Sequence, residues 1–502
     1  MNKLFSRKFI RKLYKKDTWF VVFALFIFSL LRIPSIVEPY WYGDEGIYEV
    51  IGMSLRAGGL LYRDIWDNKP PILYLIYQLF SGDQFSVRTL SLLFGAASVV
   101  VFFLVAKKLF HTRRSQYVST GVFMVLFGLP ILEGNIANAE NFMLLPILCA
   151  FYFVISSFDV PSFKKTFIAG LLLSFAFLTK IVAVFDFGAF VVSIAILRLY
   201  DEFAPRRGNI FKKIPFKKII LGSEQELILG AGFVLPIIAT ILFFVAKGAF
   251  TDFYKAVFSQ NVGYVSYGNY FLFPQGLLVL KLILLSAGIG FVWQLRHALG
   301  KSGVVILIWI FFSLFNASFS ERPYTHYLLV LLASFSLFLG YIFEDKKLSI
   351  IKITFLVALI AFVYFNFNLY KKIVPYYQNY MSFVFGNKNA KEYQRFFDGN
   401  TPRDYELANI VRSKTSKSDG IFIWGDQAQI YALSGKLPPG RYTVSYHVTF
   451  YKNAIGETLG DINRVQPKYI IQTKTDGTIE NFLASYVLKY KIDGAQIYER
   501  QY

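Results

Sequence analysis

With a single cysteine, Cys149, this chain of 502 residues forms no intramolecular disulfide and no thiolate metal cluster. Cys149 lies inside an apolar run and reads as a small buried hydrophobe. Charge is scarce too, at 17% of the residues against 55% hydrophobic and 19% aromatic. A soluble domain needs less apolar surface than this to fill its core, so the excess is expected to face lipid. Acidic residues are the scarcer charged class, 32 against 53 Lys and Arg, and the formal net charge is +21. A nucleic-acid protein gathers such charge on one surface. Here the basic runs, Arg7 to Lys16 and Arg206 to Lys218, stand between apolar segments as anchors against anionic membrane lipid, so no nucleic-acid partner is expected. No fixed-period repeat is visible, which gives no support to a solenoid or an inverted-repeat transporter.

Long apolar runs are abundant. The first, Trp19 to Val37, follows basic residues but lacks a small-x-small cleavage site, and is expected as an uncleaved helix with Arg32 snorkelling outward. Further spans are expected near 88–106, 117–133, 141–157, 166–180, 181–199, 227–246, 276–294, 304–318, 326–343 and 350–369. The expected fold is therefore membrane all-α, a polytopic bundle of about eleven transmembrane helices. With a cytoplasmic N-terminus, the loops Lys107–Gln116, Phe158–Lys165, Leu199–Lys218, Arg296–Lys301 and Glu344–Lys347 fall inside, and each carries Lys or Arg. That bias implies a multi-pass protein of the plasma (inner) membrane with its C-terminus outside.

Two external stretches are too long to be simple connectors: the first external loop, residues 38–87, and the region 371–502. The division expected is a transmembrane domain over 1–370 and an extracytoplasmic soluble α/β domain over 371–502. Within the latter, Gly420–Trp424 and Lys468–Gln472 read as strands, and Asp404–Lys414 and Ile479–Tyr486 as helices.

The first external loop contains Tyr42-Gly43-Asp44-Glu45-Gly46-Ile47-Tyr48 and then Leu61-Tyr62-Arg63-Asp64-Ile65-Trp66-Asp67-Asn68-Lys69-Pro70-Pro71. Ile47, Val50, Ile51 and Leu55 recur at helical spacing, which predicts a helix lying in the membrane interface. Asp44 and Glu45 at its start suit a partly desolvated general base, and equally suit the N-terminal end of a helix, where negative charge is favoured. Lys69 before the rigid Pro pair is placed to neutralise a lipid phosphate, or to anchor in the interface as many lysines do. Arg322 and His326 at the mouth of a late helix offer charge-assisted bonds to phosphate, or again anchors. The acids Asp44, Glu45, Asp64, Asp67 and Glu140 carry oxygen ligands for a divalent cation, but no His/Asp spacing demands one, and no cofactor follows from the sequence.

The acid pair Asp44-Glu45, the stretches Leu61–Asp64 and Asp67–Pro71, and Arg88 together resemble bacterial members of the protein O-mannosyltransferase and aminoarabinose-transferase superfamily. Glu321–Tyr327 and the stretch Trp424–Tyr431 resemble the same family. The resemblance covers the membrane portion as a whole and implies a GT-C fold, a polyprenyl-phosphate-linked sugar donor and inversion at the anomeric carbon. It further implies a catalytic Asp44, followed in the pattern by Glu45. Lys69 matches the donor-phosphate lysine, and Glu140 stands where many members carry Asp. With Arg322 and His326, these complete the expected donor- and acceptor-binding set. The acceptor implied is a hydroxyl of a protein, lipid or glycan of the cell envelope. The competing reading is a lipid or solute transporter or flippase without chemistry, for which Asp186 is the one candidate residue.

Overall fold

The computed structural model describes residues 7–159, 161–200, 222–262, 269, 270, 272, 275–344 and 346–501. The chain is mostly helical. Its membrane portion contains α1 (Arg7–Ile36), α4 (Gln84–Leu109), α5 (Arg113–Gly128), α6 (Ala139–Asp159), α7 (Phe163–Thr179) and α8 (Val184–Arg198). These are followed by α9 (Glu224–Ala246), α10 (Gly276–Ala317), α11 (Leu329–Glu344) and α12 (Ser349–Asn366). Between α1 and α4 lie the shorter α2 (Gly43–Arg56) and α3 (Pro71–Phe80).

Eight described helices are long and apolar enough to cross a membrane. The other expected spans correspond to α5 and α7, of 16 and 17 residues, and to the second half of α10. That 42-residue helix is broken at Gly300, whose φ of 70° lies in the left-handed region that glycine enters without steric cost. Eight is thus the number that length and composition support, and the count of about eleven is not established. Large apolar side chains such as Leu242, Leu284 and Phe365 are exposed on the outside of the bundle, as lipid contact requires.

Helix ends are fixed by identifiable caps. Asp83 accepts from Ser86 N at the start of α4, and Thr112 from Ser115 N at the start of α5. Several loops expected inside gather at one end of the bundle: Glu344 accepts from His111 N at 2.6 Å, Ser302 donates to Leu109 O at 2.8 Å, and Tyr200 donates to Arg296 O at 3.0 Å. The basic run Arg206 to Lys218 lies outside the described residues. Arg32 does not snorkel: it is fully buried, its Nη2 reaching Ser91 Oγ at 3.3 Å and its guanidinium lying 5.8 Å from the Phe28 and Phe127 ring centres.

Beyond α12 come α13 (Ile373–Val384), α14 (Thr401–Lys414), β1 (Ile421–Trp424), α15 (Gln429–Ser434), α16 (Ser445–Phe450), α17 (Ala454–Val465), β2 (Tyr469–Gln472), β3 (Tyr486–Ile492) and β4 (Ala495–Arg500). The sheet has the order β1-β2-β4-β3, parallel only between β1 and β2. Both expected strands are present, and α14 covers the helix expected at Asp404–Lys414. Of the helix expected over Ile479–Tyr486 only Glu480–Leu483 forms, because Tyr486 begins β3.

The core is divided in a way the sequence did not suggest. One apolar cluster fills the helical bundle. The other joins Ile47, Val50 and Ile51 of α2 and Tyr74 and Tyr77 of α3 to Leu407, Ile423, Tyr431 and Ile470 of the C-terminal part. Helix α2 is therefore buried between α3 and α15 rather than lying open in the interface, and the site it carries is fixed from both sides.

Candidate active site

Asp44 lies in the first turn of α2, where no side chain caps the helix. Its carboxylate instead accepts a hydrogen bond from Tyr48 Oη, one turn on, at 3.0 Å. The turn before α3 brings Lys69 Nζ to 3.7 Å from Asp44 Oδ2 and 3.5 Å from Asp67 Oδ2, and 5.0 Å from the Tyr48 ring centre. Pro71 at the start of α3 gives up no helical hydrogen bond and fixes this turn. Asp67 is buried and held by Tyr74 Oη at 2.7 Å and Asn68 N at 2.8 Å. Burial pushes the Asp44 carboxyl up, but Lys69, His326, the Tyr48 hydrogen bond and Lys180 outweigh it and hold it below its ordinary value. At neutral pH it is ionised.

The opposite side is built from α6 and the segment before α11. Glu140, in the first turn of α6, is in contact with Lys180 Nζ, and His326 Nε2 lies 4.0 Å from Glu140 Oε1. The other ring nitrogen, Nδ1, is 3.1 Å from Glu133 Oε2, which also accepts from Tyr42 Oη at 2.9 Å. Glu133 has φ 57°, a left-handed conformation that costs a non-glycine residue on the order of 1 kcal/mol.

Asp44, Lys69, Glu140, Arg322 and His326 all line one cavity of about 740 Å³. Arg322 also lines an adjoining apolar groove of about 770 Å³ between the two halves of α10 and α12, with Leu280, Leu284, Phe311 and Phe362 among its walls. Glu45, expected with the binding residues, is not in the cavity. It is buried and paired with Arg88, whose Nη2 lies 2.5 Å from Glu45 Oε2, while Ala137 N donates to Glu45 Oε1 at 2.8 Å. Successive residues of a helix point about 100° apart, so only one of the acid pair can face the cavity. Asp64 is exposed and pairs with Arg63 at 2.8 Å.

Among the cavity residues that the sequence reading does not single out as parts of the site are Tyr42, Lys180, Tyr446, His447 and Tyr451. Lys180 carried a signal, a charge interrupting two apolar runs. His447 had none, since its neighbour Asp67, with Oδ1 3.8 Å from His447 Nε2, is distant in sequence. Among the described residues no group of three or more His, Cys, Asp or Glu is arranged to hold a metal ion. What the cavity offers is an ionised carboxylate beside several cations, a combination suited to proton acceptance next to an anionic leaving group.

Comparison with known proteins bears on the fold. The family model for dolichyl-phosphate-mannose-protein mannosyltransferases matches residues 69–214, a stretch that begins at Lys69 and includes Glu140 and Lys180. The structure of ArnT from Cupriavidus metallidurans bound to undecaprenyl phosphate superposes with a TM-score of 0.57 at 15% identity, covering 96% of this chain and 98% of that one. The archaeal oligosaccharyltransferase AglB from Archaeoglobus fulgidus, in complex with an inhibitory peptide and a dolichol-phosphate, gives a TM-score of 0.46 at 14% identity over 91% of this chain and 70% of its own. No curated protein matches the sequence. The chain thus has a GT-C fold similar to that of ArnT, and carries within it a segment that matches the dolichyl-phosphate-mannose-protein mannosyltransferase family.

Proposed function

We propose that the chain is an inverting glycosyltransferase that moves a sugar from a polyprenyl-phosphate donor to an acceptor hydroxyl at the external face of the membrane. The observation that carries this reading is the pairing of Asp44 with Lys69 at 3.7 Å in a cavity that shares Arg322 with an apolar groove. Asp44 accepts the acceptor's hydroxyl proton as the oxygen attacks the anomeric carbon. The carbon–oxygen bond to phosphate breaks on the opposite side, and its electron pair leaves with the polyprenyl phosphate against Lys69 and Arg322. The groove takes the first isoprene units, and donor reaches it by diffusion within the outer leaflet. A donor phosphate beside Lys69 draws that cation away from Asp44, which raises the carboxylate's basicity when the base is needed.

This reading puts the loop side of the cavity, with the C-terminus, outside the cytoplasm in a multi-pass plasma-membrane protein. His326 and Glu140 hold the donor sugar or phosphate, and the acceptor is a hydroxyl of protein, lipid or glycan. The transporter reading rested on Asp186, and that acid is buried and accepts from Trp309 Nε1 at 2.7 Å. The deciding experiment incubates purified protein with radiolabelled polyprenyl-phosphate sugars and membranes. Label moving onto a non-lipid-phosphate product supports the transferase, whereas donor moved across vesicles unchanged contradicts it.

A further inference from the structure

The stretch Trp424–Tyr431 stands out in the sequence, yet none of its residues lines the cavity. Its hydrogen bonds point to another purpose. Asp426 Oδ1 accepts from Ser445 Oγ at 2.6 Å and from Tyr446 N at 3.1 Å, and Gly425 O accepts from Ser445 N at 2.8 Å. These bonds hold the first turn of α16. A side chain at position 425 would collide with the Thr473 hydroxyl, so the close approach requires glycine. The stretch is itself fixed by Trp424 Nε1 donating to Asp476 at 3.0 Å and Gln429 Nε2 donating to Asp404 at 2.9 Å.

What is held in this way is a wall of the cavity. Tyr446, His447, Thr449 and Phe450 of α16, with Tyr451, face the space that contains Asp44 and Lys69. His447 is the anchor: buried, 3.8 Å from Asp67 through Nε2, with its ring edge-on to Trp66 at 5.0 Å. Tyr446 and Phe450 differ from it in remaining 43% and 66% exposed. The Tyr446 hydroxyl has no hydrogen-bond partner among the described residues. A phenol is protonated at neutral pH, so this hydroxyl is a donor facing the cavity.

We propose that α16 is the acceptor-side wall of the cavity, with Tyr446 a residue that positions the acceptor and Asp426 a positioning residue that acts through it. This rests on the transferase reading. The cations Lys69, Lys180 and Arg322 suit the donor's phosphate, whereas α16 presents aromatic faces and one hydroxyl, which suit an acceptor with a flat apolar face beside its hydroxyl group.

The test uses the full-length protein, a radiolabelled polyprenyl-phosphate sugar that the wild type transfers, and graded amounts of membrane extract as the acceptor. Tyr446→Ala is expected to raise the half-saturating amount of extract about tenfold or more, the loss of a ring contact and a hydrogen bond, with donor half-saturation within about twofold of wild type. Asp426→Ala, outside the cavity, is expected to shift acceptor dependence in the same direction. The double variant should then cost less than the sum of the two, because both act through one helix. Tyr446→Phe keeps the ring and should fall between wild type and alanine. Stabilisation by undecaprenyl phosphate, read from thermal unfolding, should be retained in all four variants and guards against misfolding. Unchanged acceptor dependence in Tyr446→Ala, or equal losses for donor and acceptor, would overturn the assignment while leaving the transferase standing. If the wild type transfers no sugar, the transferase reading fails and takes this assignment with it.

Discussion

His326 Nδ1 lies 3.1 Å from Glu133 Oε2, and this contact turns Nε2 toward Glu140 and the cavity. A carboxylate on one ring nitrogen selects the tautomer and holds the ring for work at the other. Glu133→Gln keeps the size and removes the charge that orients the ring. Because His326 is assigned to the donor, donor affinity and turnover should both fall, roughly tenfold each, as steady-state kinetics with donor titration will read. Unchanged turnover would reduce Glu133 to a loop residue.

Glu45 and Arg88 form a buried pair outside the cavity, and Arg88 Nη1 also donates to Ser35 O at 3.1 Å and Glu38 O at 2.9 Å. The pair therefore joins the end of α1 to α2 and α4. Glu45→Ala leaves the Arg88 charge buried without its partner, a loss on the order of 3–5 kcal/mol. The expected outcome is a lowered thermal midpoint and poor recovery of monodisperse protein. A variant that melts like wild type but transfers no sugar would return Glu45 to the chemistry.

Burial pushes His447 down to about 4, against the pull of Asp67, with Lys69 adding to the lowering and Asp44 and Asp426 opposing it. In the unfolded chain this group takes up a proton below its ordinary value of 6.5, whereas the folded protein resists protonation down to about 4. The unfolded state thus binds more protons in that window, so stability is full above it and is lost as pH falls through it. His447→Gln should flatten the decline in thermal midpoint between pH about 7 and about 5. Asp404, raised to about 6 by burial, contributes the opposite sign, but it is present in both proteins and cancels in the difference. Parallel declines in wild type and variant would contradict the buried neutral His447.

Much of the candidate site was legible through the family resemblance, which assigns roles that the residues alone left open. Asp44, Lys69, Glu140, Arg322 and His326 each interrupt or border apolar sequence, and the structure brings all five to one cavity. Asp44 and Glu45 could not be told apart locally, since the choice between them is made by Arg88 on α4. Arg32 was misjudged for the same reason: its environment is set by Ser91 and Phe127 of neighbouring helices, not by its own. The pair β3 and β4 escaped notice because the start of β3 falls in the stretch Ile479–Tyr486 that reads as a helix, and because β3, with Lys489 and Lys491, is largely exposed rather than set in the core. The share of the C-terminal part in the cavity had no local signal, because it depends on α2 and α15 packing in one core.

Lys69 faces Asp44 in the free protein and, in the proposed reaction, the donor phosphate in both ground and transition states. Lys69→Ala should therefore weaken donor affinity along with rate, roughly tenfold or more in each, as titration with a radiolabelled polyprenyl-phosphate sugar will read. Loss of rate with donor affinity intact would move the phosphate site to Lys180 and Arg322.

The central claim is that Asp44 is the base. Asp44→Asn keeps the size of the side chain and part of the hydrogen bonding with Tyr48 but cannot take the acceptor's proton. Transfer from a radiolabelled polyprenyl-phosphate sugar, measured beside donor binding on monodisperse protein, should fall about a hundredfold or more with donor affinity preserved. Transfer by Asp44→Asn at the wild-type rate would contradict the account.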